Sequence, residues 1–416
     1  MPRYDHRQVQ RLRFATMSSF DADMTSDVAT NFKDLRHKPT AITRGTLVAP
    51  DETVVQRFFQ RRNYVLGPDR GGCQLEAYFT STAEALAASI TPTKRPQSMF
   101  FEALMGGYYA DEGSTVEASP APTTTGCTVA SGDGAHFEEG QIIGVPVGGV
   151  VYPRFLATIS TDAITWWPAL PSAPANGATI YNAQNNYFDE SVRKYLQILS
   201  EAAVDRGNIW SLSGCQGDLA FNLERGGLIT WTSALMGALY EHDDEIAVPQ
   251  GGGSIGAASF SNSTPRWGAE GGCHFGPTGS TTLSLVKAQT LTINPGISWI
   301  EVGNHSGVEG LGEWERDRTE ATAELTILKD ASAGTYELYH DAFKSETDYG
   351  LLWWVGASAG SIPAIAATTM QIMAAPEAVE INGLEGLKLS LLIKENSLCT
   401  DMSTAQRRSP LYIGQV

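Results

Sequence analysis

Apolar and polar residues alternate over Gly72–Phe79, with Cys73, Leu75, Ala77 and Phe79 on one face and Gln74, Glu76 and Tyr78 on the other. A period of two with one apolar face predicts a half-buried strand. Pro96 then precedes the apolar run Met99–Met105, which Gly106 and Gly107 end. Proline at the start and glycine at the stop predict one short helix. Short β-type runs recur at Cys127–Val129, Gln141–Val145, Val150–Ile159 and Ala163–Trp167, between a Ser/Thr/Pro/Gly-rich stretch at 113–125 and another at 172–183. These bounds predict an inserted small barrel-like β domain at about 123–183, separately folded and on an outer surface. Further β-rich or alternating segments, Lys194–Ala203, Gly207–Cys215, Asp218–Glu224 and Leu228–Tyr240, are joined by Gly-containing turns and predict hairpins. Residues 248–280 are the most Gly- and Ser-dense stretch, and strand patterning resumes at Thr281–Val286.

The pattern divides the chain into an extended arm (1–45), a first domain (46–247) containing the insert, a Gly-rich linker or arm (248–280), a second domain (281–396) and a C-terminal tail (397–416). The arm and the linker lack periodicity and are expected to order on contact with a neighbouring copy.

The two halves repeat one order. Strand Gly72–Phe79 and helix Met99–Met105 correspond to Ala321–Leu328 and Thr335–Phe343. The second helix sets Tyr336, Tyr339, His340 and Phe343 on one face, as the first sets Phe100, Ala103 and Leu104, with Phe101 beside them. Phe100, Phe101, Leu104, Tyr336, Tyr339 and Phe343 are the predicted helix core. Asp218–Ser233 resembles Ala378–Leu391, and Ile209–Gly214 resembles Ile297–Gly303. A duplicated unit without catalytic punctuation points to assembly, because each copy offers the same edge to a neighbour. The expected fold class is mainly β with short helices (α+β), a duplicated β-sandwich.

Composition narrows the function. The chain has 416 residues, 42 Gly, 20 Pro and a net charge of -17. Such an acidic balance disfavours gripping nucleic acid through its phosphates. Residues 1–70 hold 12 Lys and Arg against 8 Asp and Glu, leaving 17 against 38, so a leader of +4 precedes a body of -21. Cys73, Cys127, Cys215, Cys273 and Cys399 are widely spaced and odd in number, which predicts free buried thiols. No apolar run reaches the roughly eighteen residues of a membrane helix, and Met1–Phe14 carries charges where a signal peptide is apolar. A soluble chain without a general secretion signal is expected.

The chemistry-bearing motifs read as structural. Two Gly-x-Ser-x-Gly matches, around Ser254 and Ser358, lie in a Gly-rich linker and before Pro363, neither of them the strand-to-helix turn of a hydrolase. His242 with Asp243, Asp244 and Glu245 reads as a solvated acidic loop, His340 as a packed ring, and Cys273-His274 as a pair without partners. Glu309, Glu313, Glu315, Asp317 and Glu320 show no glycosidase spacing and read as solvated or pore-facing acids. No catalytic, cofactor-binding or metal-binding residue is assigned. Adjacent tryptophans point to opposite faces of a strand, so Trp166, Trp167, Trp353 and Trp354 are candidate subunit-interface residues, one of each pair core and one surface. Stacking on a host glycan is the alternative use.

The segment GCQGDLAFNLERGGLITWTSALMGALYE (Gly214–Glu241) resembles the hairpin of tail tube proteins, the major tail proteins of long-tailed phages. RTEATAELTILKD (Arg318–Asp330), YELYHDAF and GLEGLKLSLLIKEN resemble the second copy in double-domain members. The resemblance covers roughly 45–120 and 185–396. It implies a structural virion protein without cofactor, assembled in the host bacterial cytoplasm. Homotrimeric pseudo-sixfold rings, or hexameric rings, would stack into a tube through which double-stranded DNA is ejected past an acidic lumen without specific binding and without a membrane. A tape measure protein inside, and tail terminator and distal tail proteins at the ends, are the implied partners. A tube protein of a contractile injection system and a glycan-binding virion surface protein are the alternatives.

Overall fold

The computed structural model describes residues 10–18, 32–35, 37–38, 40, 42–50, 64–80, 85–202, 209–242, 266–268, 271–302, 313–318, 320, 321–329, 334–399 and 401–416. Among the described residues the fold is mainly β with three short α-helices. Each half runs in one order. A leading strand (Gln10–Met17; Gly271–Pro277) is followed by an edge strand (Ile42–Pro50; Ala288–Asn294) and an alternating strand (Tyr64–Tyr78; Thr322–Leu328). Next come a helix (α1, Pro96–Met105; α2, Thr335–Lys344) and two antiparallel strands (Tyr195–Ala202 and Ile209–Gly217; Asp348–Val355 and Pro363–Ile372). A hairpin closes each half (Ala220–Glu224 with Thr230–His242; Glu377–Ile381 with Leu384–Ile393).

The pairings repeat as well. In both halves the leading strand pairs with the first strand after the helix, that strand with the second, and the second with the hairpin's long strand. The long strand then pairs with the alternating strand, which pairs with the edge strand. The duplication read from the sequence is thus matched by topology. Ile209–Gly214 and Ile297–Gly303 are not counterparts, however: the first lies in a strand of the main sheet, whereas Ile297–Val302 forms a separate hairpin with Glu313–Arg318. Short alternating runs fit many strands, so that likeness was of pattern alone.

Helix α1 starts at Pro96 and stops at Gly106, whose φ of 95° suits glycine. It is buried all round: Phe100 packs edge-on against Phe14 at 5.4 Å and meets Trp231 at 4.9 Å, while Phe101 meets Phe79 at 6.0 Å. Leu104 is buried beside them. Helix α2 is amphipathic, with Tyr339 buried, Tyr336 and Phe343 half-buried against the core, and Leu338 exposed.

One hydrophobic cluster takes residues from both halves, so their cores are not separate; Phe79 stacks on Trp353 at 6.2 Å. The expected arm 1–45 contains the strand Gln10–Met17, whose Leu12, Phe14 and Met17 enter the core region, and the edge strand from Ile42. The expected tail 397–416 is likewise structured: α3 (Ala405–Arg408) precedes a buried strand, Tyr412–Gln415. That strand lies between Gln184–Phe188 and Pro363–Ile372, joining the halves. Within the expected linker, Gly271–Pro277 is a sheet strand; 248–265 and 269–270 lie outside the described residues, as do 1–9 and 19–31.

The insert is a six-stranded sheet of Ser114–Thr115, Thr179–Asn182, Gln141–Val147, Val150–Ser160, Ala163–Trp167 and Gly126–Thr128, in that order. A bridge between Val116 and Val129 brings its first and last strands together, closing a small barrel. Alternation sends Ile143, Val145 and Leu156 inward, while Ile142, Phe155 and Trp167 pack outward on Leu352, Trp354 and Tyr412. The barrel therefore begins before residue 123 and is docked on the body through a shared apolar layer.

Candidate assembly surface

The two halves meet by strand pairing. Phe221 lies opposite Ile293, Asn222 opposite Thr292, Leu223 opposite Leu291 and Glu224 opposite Thr290. Phe221, Leu223, Leu291 and Ile293 are buried on the core face, whereas Asn222, Glu224, Thr290 and Thr292 face away. The hairpin of the first half thus docks against the edge strand of the second, producing one continuous sheet.

That sheet ends on strands of the same two kinds. Glu377–Ile381 pairs with Leu384–Ile393, and Ile42–Pro50 with Tyr64–Tyr78; neither has a second partner among the described residues. Unpaired edges expose rows of N–H and C=O groups that another strand can join. Glu377 and Glu380 mark one edge; at the other, His37 bridges to Ala77 and Lys38 is ion-paired with Glu76.

The face of the sheet turned from the core is polar. A depression of about 420 Å³ is lined by Lys38, Glu76, Asn222, Glu224, Thr290 and Thr292, among others. Glu324 pairs with Lys388 at 3.1 Å on the same face of the second half. Hydroxyl and amide groups separate these charges, so acid is present but partly neutralised.

The four predicted interface tryptophans are all buried within the chain, at 5% exposure or less. Trp166 lies inside the barrel and donates Nε1–H to the Thr124 carbonyl at 3.0 Å. Trp167 and Trp354 fill the layer between barrel and body, and Trp353 belongs to the main core. Each pair does point to opposite faces, but both faces are covered, because these strands have packed layers on either side. The interface assignment is therefore corrected: the pairs join cores to one another.

The remaining candidates stay dispersed. Ser254 and Asp243–Glu245 lie outside the described residues, and the side chains of His242, Glu313, Glu315 and Asp317 are not among those described. Ser358 sits in a turn, its carbonyl accepting from Ser361 Oγ, and a strand follows where an elbow would need a helix. All five cysteines are free and buried, and burial pushes the thiols of Cys127, Cys273 and Cys399 up to about 12. His340 stacks on Tyr336 at 5.5 Å. Among the described residues no three His, Cys, Asp or Glu side chains could hold a metal ion, and no helix is long and apolar enough to cross a membrane.

Two polar clusters went unread in the sequence. Arg407 donates Nε–H and Nη2–H to Glu138 Oε1 at 3.0 and 2.8 Å, and Nη1–H to Asp401 at 2.8 Å, tying barrel to C-terminal segment. His136 lies 3.4 Å from both Asp111 and Glu112. The Arg407–Glu138 contact spans 269 positions, a separation over which no local signal exists. The chain matches no family model and no curated protein.

Proposed function

We propose that the chain is a structural subunit that polymerises head to tail, closing rings that stack into a hollow tube of the phage-tail kind. The observation that carries this reading is the join between the halves: a hairpin strand pairs with the next edge strand inside the chain, and strands of the same two kinds at the sheet's ends have no second partner among the described residues. Repeating the internal join between copies extends the sheet from chain to chain. Such heterologous contacts give rings when the rotation closes. Three duplicated chains supply six units.

The polar, acid-bearing sheet face supports a role as the wall of a DNA passage, because duplex DNA carries about one charge per 1.7 Å and is repelled by unpaired carboxylates. The resemblance of Gly214–Glu241 to tail tube hairpins adds the virion setting and the partners at the tube's interior and ends. A glycan-binding surface loses its motive, since the four paired tryptophans are buried. Negative-stain microscopy of the concentrated protein is the test: rings or tubes are expected, and a strictly monomeric protein without rings overturns the proposal.

A further inference from the structure

The seam between the barrel and the second half holds a buried set of hydrogen-bond donors with no acceptors to match. Arg154 and His274 are 0% exposed and Trp167 is 4% exposed. Arg154 comes from the barrel strand Val150–Ser160, Trp167 from its neighbour Ala163–Trp167, and His274 from the leading strand Gly271–Pro277. The Trp167 and His274 rings meet edge to face at 4.9 Å. The Arg154 guanidinium lies 5.4 Å from the Tyr152 ring centre and 5.8 Å from that of Trp354.

Arg154 spends Nη1–H on the Pro153 carbonyl at 2.7 Å and Nη2–H on the Ala169 carbonyl at 3.1 Å. Its Nε–H has no acceptor, and neither has Trp167 Nε1–H. His274 Nδ1 accepts from the Ser284 N–H at 2.8 Å, which leaves the proton of the neutral ring on Nε2, also without an acceptor. No carboxylate is ion-paired with Arg154 among the described residues; Tyr152 is the ionisable neighbour acting on it. Burial lowers the guanidinium's pKa to about 9, so it stays charged at neutral pH.

A buried charge whose bonds reach only neutral carbonyls is costly unless a counter-charge is supplied. Water meets this need poorly, because it brings two protons of its own and no charge to offset the guanidinium. A spherical anion accepts from every donor and adds the missing charge. We propose that a chloride-sized anion binds in this seam, held by Arg154 Nε–H, Trp167 Nε1–H and His274 Nε2–H, and fastens the barrel to the body. This inference is independent of the tube-forming role.

The test uses the full chain and sodium chloride against sodium gluconate at equal ionic strength. A ligand that binds only the folded state raises the melting temperature, here by roughly 2 °C for each tenfold increase above its dissociation constant. Chloride and bromide should give that shift, Arg154→Met should abolish it, and Trp167→Phe, which keeps a ring but removes the N–H, should weaken it. Identical melting of the unaltered protein in the two salts overturns the proposal, as does an undiminished chloride shift in Trp167→Phe. If Arg154→Met does not fold, anomalous diffraction from bromide-soaked crystals of the unaltered protein decides: a peak among the three residues supports the site, and no peak there rejects it.

Discussion

Trp167 of the barrel lies across Gly350 of the second half, so that a Cβ on Gly350 would collide with the indole, with the Thr368 carbonyl 2.9 Å away. The glycine is a seat for the ring. Gly350→Val should destabilise the protein by about 1–3 kcal/mol through overpacking, read by denaturant unfolding, and should change the near-ultraviolet signal of the buried tryptophan. An unaltered midpoint and spectrum would show that the ring sits elsewhere.

The repeat specifies a register between copies. Phe221 and Ala378 each lie opposite a hairpin residue, Trp231 or Leu387, that faces the last buried residue within the alternating strand, Ala77 or Ile327. Ile42 and Ile293 each lie opposite the residue four positions before that, Cys73 or Ala323. Since Phe221 faces Ile293 within the chain, Ala378 should face Ile42 of the next copy, at a Cβ separation of about 4.5–5.5 Å. A protein carrying both Ala378→Cys and Ile42→Cys should form covalent multimers on mild oxidation, resolved on a non-reducing gel. The natural thiols, buried and held protonated, should react slowly. Rings that stay uncrosslinked would refute the register.

His274 makes stability pH-dependent. Burial, then the nearby Arg154 charge, lower its pKa from 6.5 to about 4. The unfolded chain therefore binds the extra proton first as pH falls. Stability is fully present above pH 6.5 and declines toward pH 4, by about 3 kcal/mol in all. His274→Gln should flatten this window relative to the unaltered protein when unfolding is followed in chloride-free buffer, since an anion beside the ring would favour its protonated form. Parallel pH profiles for the two proteins would exclude the effect.

The helices of the two halves should respond differently to truncation. Phe100 is wholly buried, and Phe100→Ala should cost about 3–5 kcal/mol. Leu338 on α2 is 52% exposed, so Leu338→Ala should stay within about 0.5 kcal/mol. Thermal unfolding of both variants checks the contrast; equal losses would contradict it.

What the sequence made legible was local. Gly72–Phe79 alternates cleanly, and Pro96 and Gly106 bracket α1 without outside help. Strand Gln10–Met17 was missed because its charges read as a solvated arm, whereas both faces are covered and Arg13, between Leu12 and Phe14, is itself buried. Tyr412–Gln415 was missed because four residues buried on both faces carry no period at all. The tryptophan pairs were misplaced for a related reason: alternation shows that two side chains diverge, not what covers each side. Trp353 is covered by Phe79, and Trp354 lies across Gly272, both distant in sequence.

The strand Tyr412–Gln415 also orders events in time. Its neighbours, Gln184–Phe188 and Pro363–Ile372, leave the ribosome before it, and among the described residues they are joined through it. A nascent chain halted near residue 400 would hold both halves with an unfilled slot between them, an edge open to any passing strand. Tyr412–Gln415 thus fills with the chain's own backbone a slot that would otherwise be a sticky edge.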